Sequence, residues 1–209
     1  MKKTLVMMAV VAGFLFADNA NAQSTSGVAV HAGYSPETWF MGDNSMNVHS
    51  YLAGVDFRAP IIGGFGITVG AQGRWSTESG EDAYFVFDTN HSTNIVAAEI
   101  PLLLNYCLEV FEDFKITPFA GAKFTYYIKG TSRRGDGHHI YEWFEDDKEV
   151  NGLRKPMNHF GVSATFGLDV AFQHFHLYGG YSRGLIDLDN YDDTKTTTAG
   201  PFFGLMVGF

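Results

Sequence analysis

Gly200-Pro201-Phe202-Phe203-Gly204-Leu205-Met206-Val207-Gly208-Phe209 is the stretch whose reading decides the fold. Side chains alternate across a strand. Pro201, Phe203, Leu205, Val207 and Phe209 therefore share one face, and Gly200, Phe202, Gly204, Met206 and Gly208 share the other. One face is apolar throughout and the other is mostly small. A strand of about ten residues divided in this way can cross a bilayer when tilted in a barrel. The alternative is a soluble edge strand.

The same division recurs upstream and predicts strands over 27–34, 49–59, 65–75, 94–106, 114–128, 159–171 and 175–184, which with the closing strand makes eight. Apolar residues take one face of each. The other face carries small and polar residues, among them Asp56, Arg58, Arg74, Glu99, Lys123 and Asp169. Lipid cannot solvate these groups, and a closed ring leaves no backbone edge, so they are assigned to the inside of a barrel. Pro101 removes a backbone donor and predicts a bulge or distortion there. Connections alternate in length. A polar and aromatic loop is expected over 35–46, acidic loops over 76–92 and 185–196, and the longest loop over 129–157. Short turns fall at 60–64, 107–113 and 172–174. Two aromatic belts are predicted. Tyr34, Tyr51, Trp75, Tyr126, Phe160 and Tyr181 lie toward the long loops, and Phe57, Phe65, Tyr106, Phe172, Phe175 and Phe209 toward the short turns. A soluble barrel would invert this pattern, with polar residues outside.

Composition agrees with an all-β chain: 24 glycines, 15% aromatic residues and few helix formers in 209 residues. The formal charge of −9 makes nucleic acid a poor partner. The single cysteine, Cys107, excludes an internal disulfide. At the N-terminus, Lys2 and Lys3 precede an apolar run over 4–17 and the Ala20-Asn21-Ala22 cleavage pattern. These residues predict a signal peptide over 1–22 and a mature barrel domain over 23–209 starting at Gln23. The apolar run is too short for a membrane helix, and the lack of a following cysteine argues against a lipoprotein.

The terminal Phe209, with Phe203, Leu205 and Val207 at alternate positions before it, resembles the C-terminal signal of bacterial outer-membrane β-barrels. Glu99-Ile100-Pro101-Leu102-Leu103-Leu104 resembles the E-I-P-L-L run of the small outer-membrane β-barrel family common in Bacteroidota, often labelled porin-like or PorT-like. Thr117-Pro118-Phe119-Ala120-Gly121 is similar to that family's following strand, and Tyr181-Ser182-Arg183-Gly184-Leu185 to its seventh. The resemblance implies an eight-stranded antiparallel up-and-down transmembrane β-barrel in the outer membrane. It implies contact with lipid and lipopolysaccharide and delivery to the barrel-assembly machinery. Its motifs describe a barrel and no chemistry, and the acidic loops match no pattern in it.

Candidate chemistry is sparse. Outer-membrane lipid A deacylases resemble one another in a His-x-Ser pair with a Glu. Here His49-Ser50 and His91-Ser92 are adjacent, so each pair would point to opposite faces of a strand. A nucleophile and its base need contact, and the chain is read as a non-enzyme without a cofactor. His138-His139 with Asp136 and Glu142 could hold a metal, but loop histidines are usually solvated. Asp187-Leu-Asp-Asn-Tyr-Asp-Asp193 is oxygen-rich but lacks the glycine and distal glutamate of an EF-hand loop, so it is read as an acidic surface loop. No metal site is assigned.

Two functions remain. One is a monomeric structural or interaction barrel whose long loops meet an extracellular partner; the other is a passive small-solute channel. The loop aromatics Trp39, Phe40, Tyr141, Trp143 and Phe144 favour the first, as does the narrow bore of eight strands. Glu99 and Lys123 are expected to meet at one height. Asp56, Arg58 and Asp169 are expected to share the periplasmic half of the lumen, with Arg58 free to pair with either carboxylate. Ion pairs and polar packing would then fill the lumen.

Overall fold

The computed structural model describes residues 27–80, 91–134, 140–144, 156–189 and 195–209. The strands within them are β1 Gly27–Met41, β2 Asn44–Ile62, β3 Phe65–Gly80, β4 His91–Tyr106, β5 Leu108–Phe111, β6 Phe114–Arg134, β7 Ile140–Glu142, β8 Phe160–Phe172, β9 Phe175–Gly184 and β10 Thr196–Gly208. β5 continues β4 beyond Cys107 against the same neighbour, and β7 is a short addition to β6. Eight long antiparallel strands thus form the wall. β1 pairs with both β2 and β10, which closes the ring.

The stagger of that ring follows from its paired residues. Val28 leads through Phe57, Val69, Leu102, Ala122, Ala164, Arg183 and Ala199 to Thr38, ten positions above the start on β1. With about 3.3 Å per residue and about 4.7 Å between strands, a ten-residue stagger over eight strands tilts them by about 41° and sets a backbone radius of about 8 Å. Side chains can just fill such a bore.

The outer surface is apolar over one band. Ile67, Val69, Ile100, Leu102, Leu104, Leu168, Leu177 and Leu205 all point away from the ring and are exposed. Rings bound the band at both ends. Tyr51 stacks on Trp75 and touches Tyr34, which touches Phe203; at the other end Phe65 packs on Tyr106. Phe65 and Trp75 stand ten residues apart on β3. At this tilt that is about 25 Å along the axis, the height of the apolar band of a membrane barrel.

At the short-turn end the reversals fall inside the expected turns but are tighter, because β2 runs on to Ile62 and β5 makes 108–111 strand where a turn over 107–113 was expected. Gly63 and Gly64 have φ of 58° and 87°, a left-handed reversal that glycine adopts without strain. Gln173 makes the turn before β9 with φ 55°.

The other end differs from the expectation of loops. Residues 35–46 are strand apart from the turn at Gly42-Asp43, and 76–80, 91–93 and 129–134 are strand as well. β1 and β2 rise seven residues beyond Tyr34 and Tyr51, about 17 Å at the same tilt. The alternation persists, but its chemistry reverses. Outward positions above the belt carry Ser45, Asn47 and His49; inward ones carry Trp39, Met46, Val48 and Ile95. That is the rule for a barrel in water, and it explains why a search for lipid-facing strands stops at Tyr34.

Pro101 distorts the sheet less than expected. The partners Val69↔Leu102 and Gln72↔Glu99 flank a gap in the β3–β4 ladder without a change of register. The register shift lies in the β4–β6 ladder, where Val96 faces Lys129 and Ala97 faces Tyr127.

Candidate functional site

The polar residues that the alternation sends inward meet in the lumen. Nearest the short-turn end, Arg58 on β2 reaches across the ring to Asp169 on β8, 2.8 Å from Nη1 to Oδ2. His176 Nδ1 lies 2.9 Å from the same carboxylate, and Arg58 Nη2 lies 3.0 Å from Met206 Sδ. Asp56 is paired with His31 instead, at 3.2 Å.

Aromatic rings cross the lumen above this layer. Phe119 stacks on Phe202, Phe202 touches Tyr178, and Tyr178 meets His31 edge-on. Inward glycines make room for them. A Cβ on Gly33 or Gly204 would stand 2.5 Å from the Tyr178 hydroxyl, and one on Gly167 2.6 Å from the Phe119 ring. Beside the rings lies a cavity of about 80 Å³, lined in part by His31, Asp56, Arg58, Lys123, Phe119, Tyr178 and Phe202.

Glu99 is the centre of the next layer and is 1% exposed. Lys123 Nζ lies 3.2 Å from it and Arg74 Nη1 3.4 Å. Thr125 and the Gln72 side-chain amide donate to it. Because that amide donates, the Gln72 oxygen is free to accept from His31 Nε2 at 2.9 Å, which ties the Asp56–His31 pair to the Glu99 layer. Arg74 donates to both oxygens of Glu37, at 2.8 and 2.7 Å, and its guanidinium carbon stands 5.3 Å from the Tyr127 ring centre.

An apolar cluster tops the stack. Trp39, Met46, Val48, Ile95, Ala97, Tyr127, Phe144 and Leu188 are buried together, with Met41, Trp143 and Met157 packed against them. Phe144 stacks on Tyr127, and Trp39 meets Tyr127 and Trp143 edge-on. Leu188 is held by its own backbone bonds to Thr196 and Asn158.

The six charged residues assigned to the lumen all lie there. The structure brings together Glu99 with Lys123 and Arg74, and Arg58 with Asp169; Asp56 has no contact of this kind with Arg58. Glu37 was missed because it fell in a presumed loop. His31 and Gln72 sat on the inward face and could have been found there. Phe203, Leu205 and Phe209 point outward and are exposed, and the Phe209 amide bonds to Val28. Of the aromatics expected to be exposed, Phe40 is, whereas Trp39 and Phe144 are buried and Trp143 is half-buried. His49 faces out and Ser50 faces in, hydrogen-bonded to Ser76. The Asp187 carboxylate accepts from the amides of Asp189 and Thr196, an ordinary loop staple. His138, His139, Asp136 and the 190–193 part of the acidic loop lie outside the described residues.

The family model for an outer membrane protein beta-barrel domain matches residues 16–190. Among solved structures, the chain is similar to neisserial surface protein A, with a TM-score of 0.53 at 14% identity, covering 90% of this chain and 100% of that one. Ail, the attachment invasion locus protein of Yersinia pestis, gives a TM-score of 0.46 at 11% identity, covering 87% and 99%. At 14% identity the first likeness shows the fold alone. No curated protein matches the sequence.

Proposed function

This chain belongs to the outer-membrane protein β-barrel family, and on that premise we propose that it is a closed, non-enzymatic barrel whose working surface is its extracellular end. What supports this reading is the layering of side chains inside the ring. Buried ion pairs, crossing rings and an apolar cluster succeed one another along a bore of about 8 Å backbone radius. The strands that project past the outer belt raise this filled end clear of the headgroups and present the long acidic connections to a partner. Lipid and lipopolysaccharide surround the band below. A passive small-solute channel needs a continuous wet path, and the apolar burial of the Trp39 cluster speaks against one. Pure protein in planar bilayers is expected to give no stable conductance of porin size; such a conductance would restore the channel reading.

Export precedes this role. Residues 1–22 act as the signal peptide, the Phe203-Leu205-Val207-Phe209 face is presented to the barrel-assembly machinery, and the mature monomer starts at Gln23. Intact-mass measurement on purified outer membranes is expected to find Gln23 at the N-terminus. Recovery of the uncleaved chain, or of the protein in the soluble periplasm, contradicts this.

A further inference from the structure

We propose that the lumen cavity between the Glu99 layer and the Arg58–Asp169 pair is a binding site for a small neutral amphiphile, a molecule of about the size of phenol with a hydroxyl or amide on an apolar body. The cavity measures about 80 Å³, and each water-sized group takes about 10–15 Å³ on this measure, so roughly six fit. Its walls are of two kinds. Phe119, Phe202, Leu52, Leu103 and Met206 supply apolar surface; Asp56, Arg58 and Tyr178 supply polar atoms.

Several of those polar atoms have no protein partner. Asp56 is 7% exposed, yet its Oδ1 accepts no hydrogen bond, and the Tyr178 hydroxyl and Arg58 Nε are likewise unpartnered. Asp56 leans over Gly70, where a Cβ would collide with Oδ1, so the glycine lets the carboxylate occupy that place. A buried polar atom without a partner is costly. A small turn of these side chains toward the cavity would let a guest hydroxyl donate to Asp56 and accept from Tyr178.

Charge decides that the guest is neutral. The charged groups on the wall are balanced from within: Asp169 faces Arg58 at 2.8 Å, Lys123 faces Glu99 at 3.2 Å, and Asp56 faces His31 at 3.2 Å, which is its counter-charge when the imidazole is protonated. An ionic guest would lose its hydration and find no counter-charge. Water alone would leave the faces of Phe119 and Phe202 wet, which favours a guest with an apolar side.

The test is methyl NMR of the mature full chain in detergent micelles, titrated separately with phenol, benzylamine and benzoate at neutral pH. The inward methyls of Leu52, Leu103 and Met206 are expected to shift saturably with phenol. The outward methyls of Leu102, Leu104 and Leu205 should drift linearly as phenol enters the micelle. The two charged probes should bind at least tenfold more weakly. Leu103→Phe, which fills the cavity, should abolish the saturable shift while the folded band still moves on heating in gels; if that variant does not fold, the wild-type titrations decide alone. Inward and outward methyls drifting together, saturation retained in the filled variant, or equal binding of a charged probe would overturn the proposal. The inference rests on a lumen closed at its outer end, and conductance tests that closure separately.

Discussion

Arg74→Ala is expected to lower the unfolding free energy of the barrel by about 3–5 kcal/mol, the cost of removing one partner from a buried ion pair. Arg74 is 3% exposed, and it faces two carboxylates that are almost as deeply buried, Glu37 at 5% and Glu99 at 1%. Glu99 would keep Lys123, Gln72 and Thr125. Glu37 would keep the Ser35 hydroxyl at 3.5 Å, too long to replace a guanidinium. The damage should therefore concentrate at Glu37, and Glu37→Gln in the Arg74→Ala background should recover a large part of the loss. Lys123→Ala should cost less, about 1–3 kcal/mol, because Glu99 keeps Arg74 at 3.4 Å together with Gln72 and Thr125. Urea unfolding in lipid vesicles, followed by the heat-modifiable gel band, measures each difference. A loss of under about 1 kcal/mol for Arg74→Ala would mean that water reaches this layer, and the lumen would then be open at the height of Glu99.

The membrane-crossing half of the barrel was legible because one rule governs it. Lipid rewards apolar side chains outside, and a narrow bore takes small and polar ones inside. Period two therefore separated Val69 from Thr68 and Leu102 from Leu103 along whole strands, and the chain itself set Glu99 near Lys123 and Arg58 across from Asp169. The rule stops at Tyr34. From Ser35 on, water replaces lipid outside, so Thr38 and Asn47 bond to each other on the outer face while Trp39 goes in. Nothing in the backbone changes there, only the solvent. Reading lipid as the solvent throughout made the upper strands look like loops and removed Glu37 from the list of lumen acids. The aromatic crossing was hidden for another reason. Phe119 and Phe202 stood on the inward face in plain view, but that they overlie Gly167 and Gly180 depends on register between strands far apart in sequence.

That change of solvent makes the upper barrel a separate energetic unit, and Trp39→Ala should expose it as one. Trp39 has no exposed surface and packs on Tyr127, from β6 across the ring, and on Trp143, just past β7. Truncating a buried tryptophan costs about 3–5 kcal/mol, here drawn from a cluster of a few buried residues above the belt. The lipid-facing band lies below it, and the Arg74 network meets it at Tyr127, whose ring centre stands 5.3 Å from the guanidinium carbon. The expected result is local. The membrane band keeps its heat-modifiable mobility, while the projecting strands open and protease added to intact cells cuts within 35–46 as well as in the 129–157 connection. In the wild type only the connections should be cut, which also fixes them as extracellular. Loss of the whole folded band in Trp39→Ala would show that the two halves fold as one. Cleavage only after outer-membrane lysis would reverse the orientation. An unchanged protease pattern would mean that Leu188 and Phe144 close the lumen without Trp39, and the plug would then belong to the connections rather than to the strands.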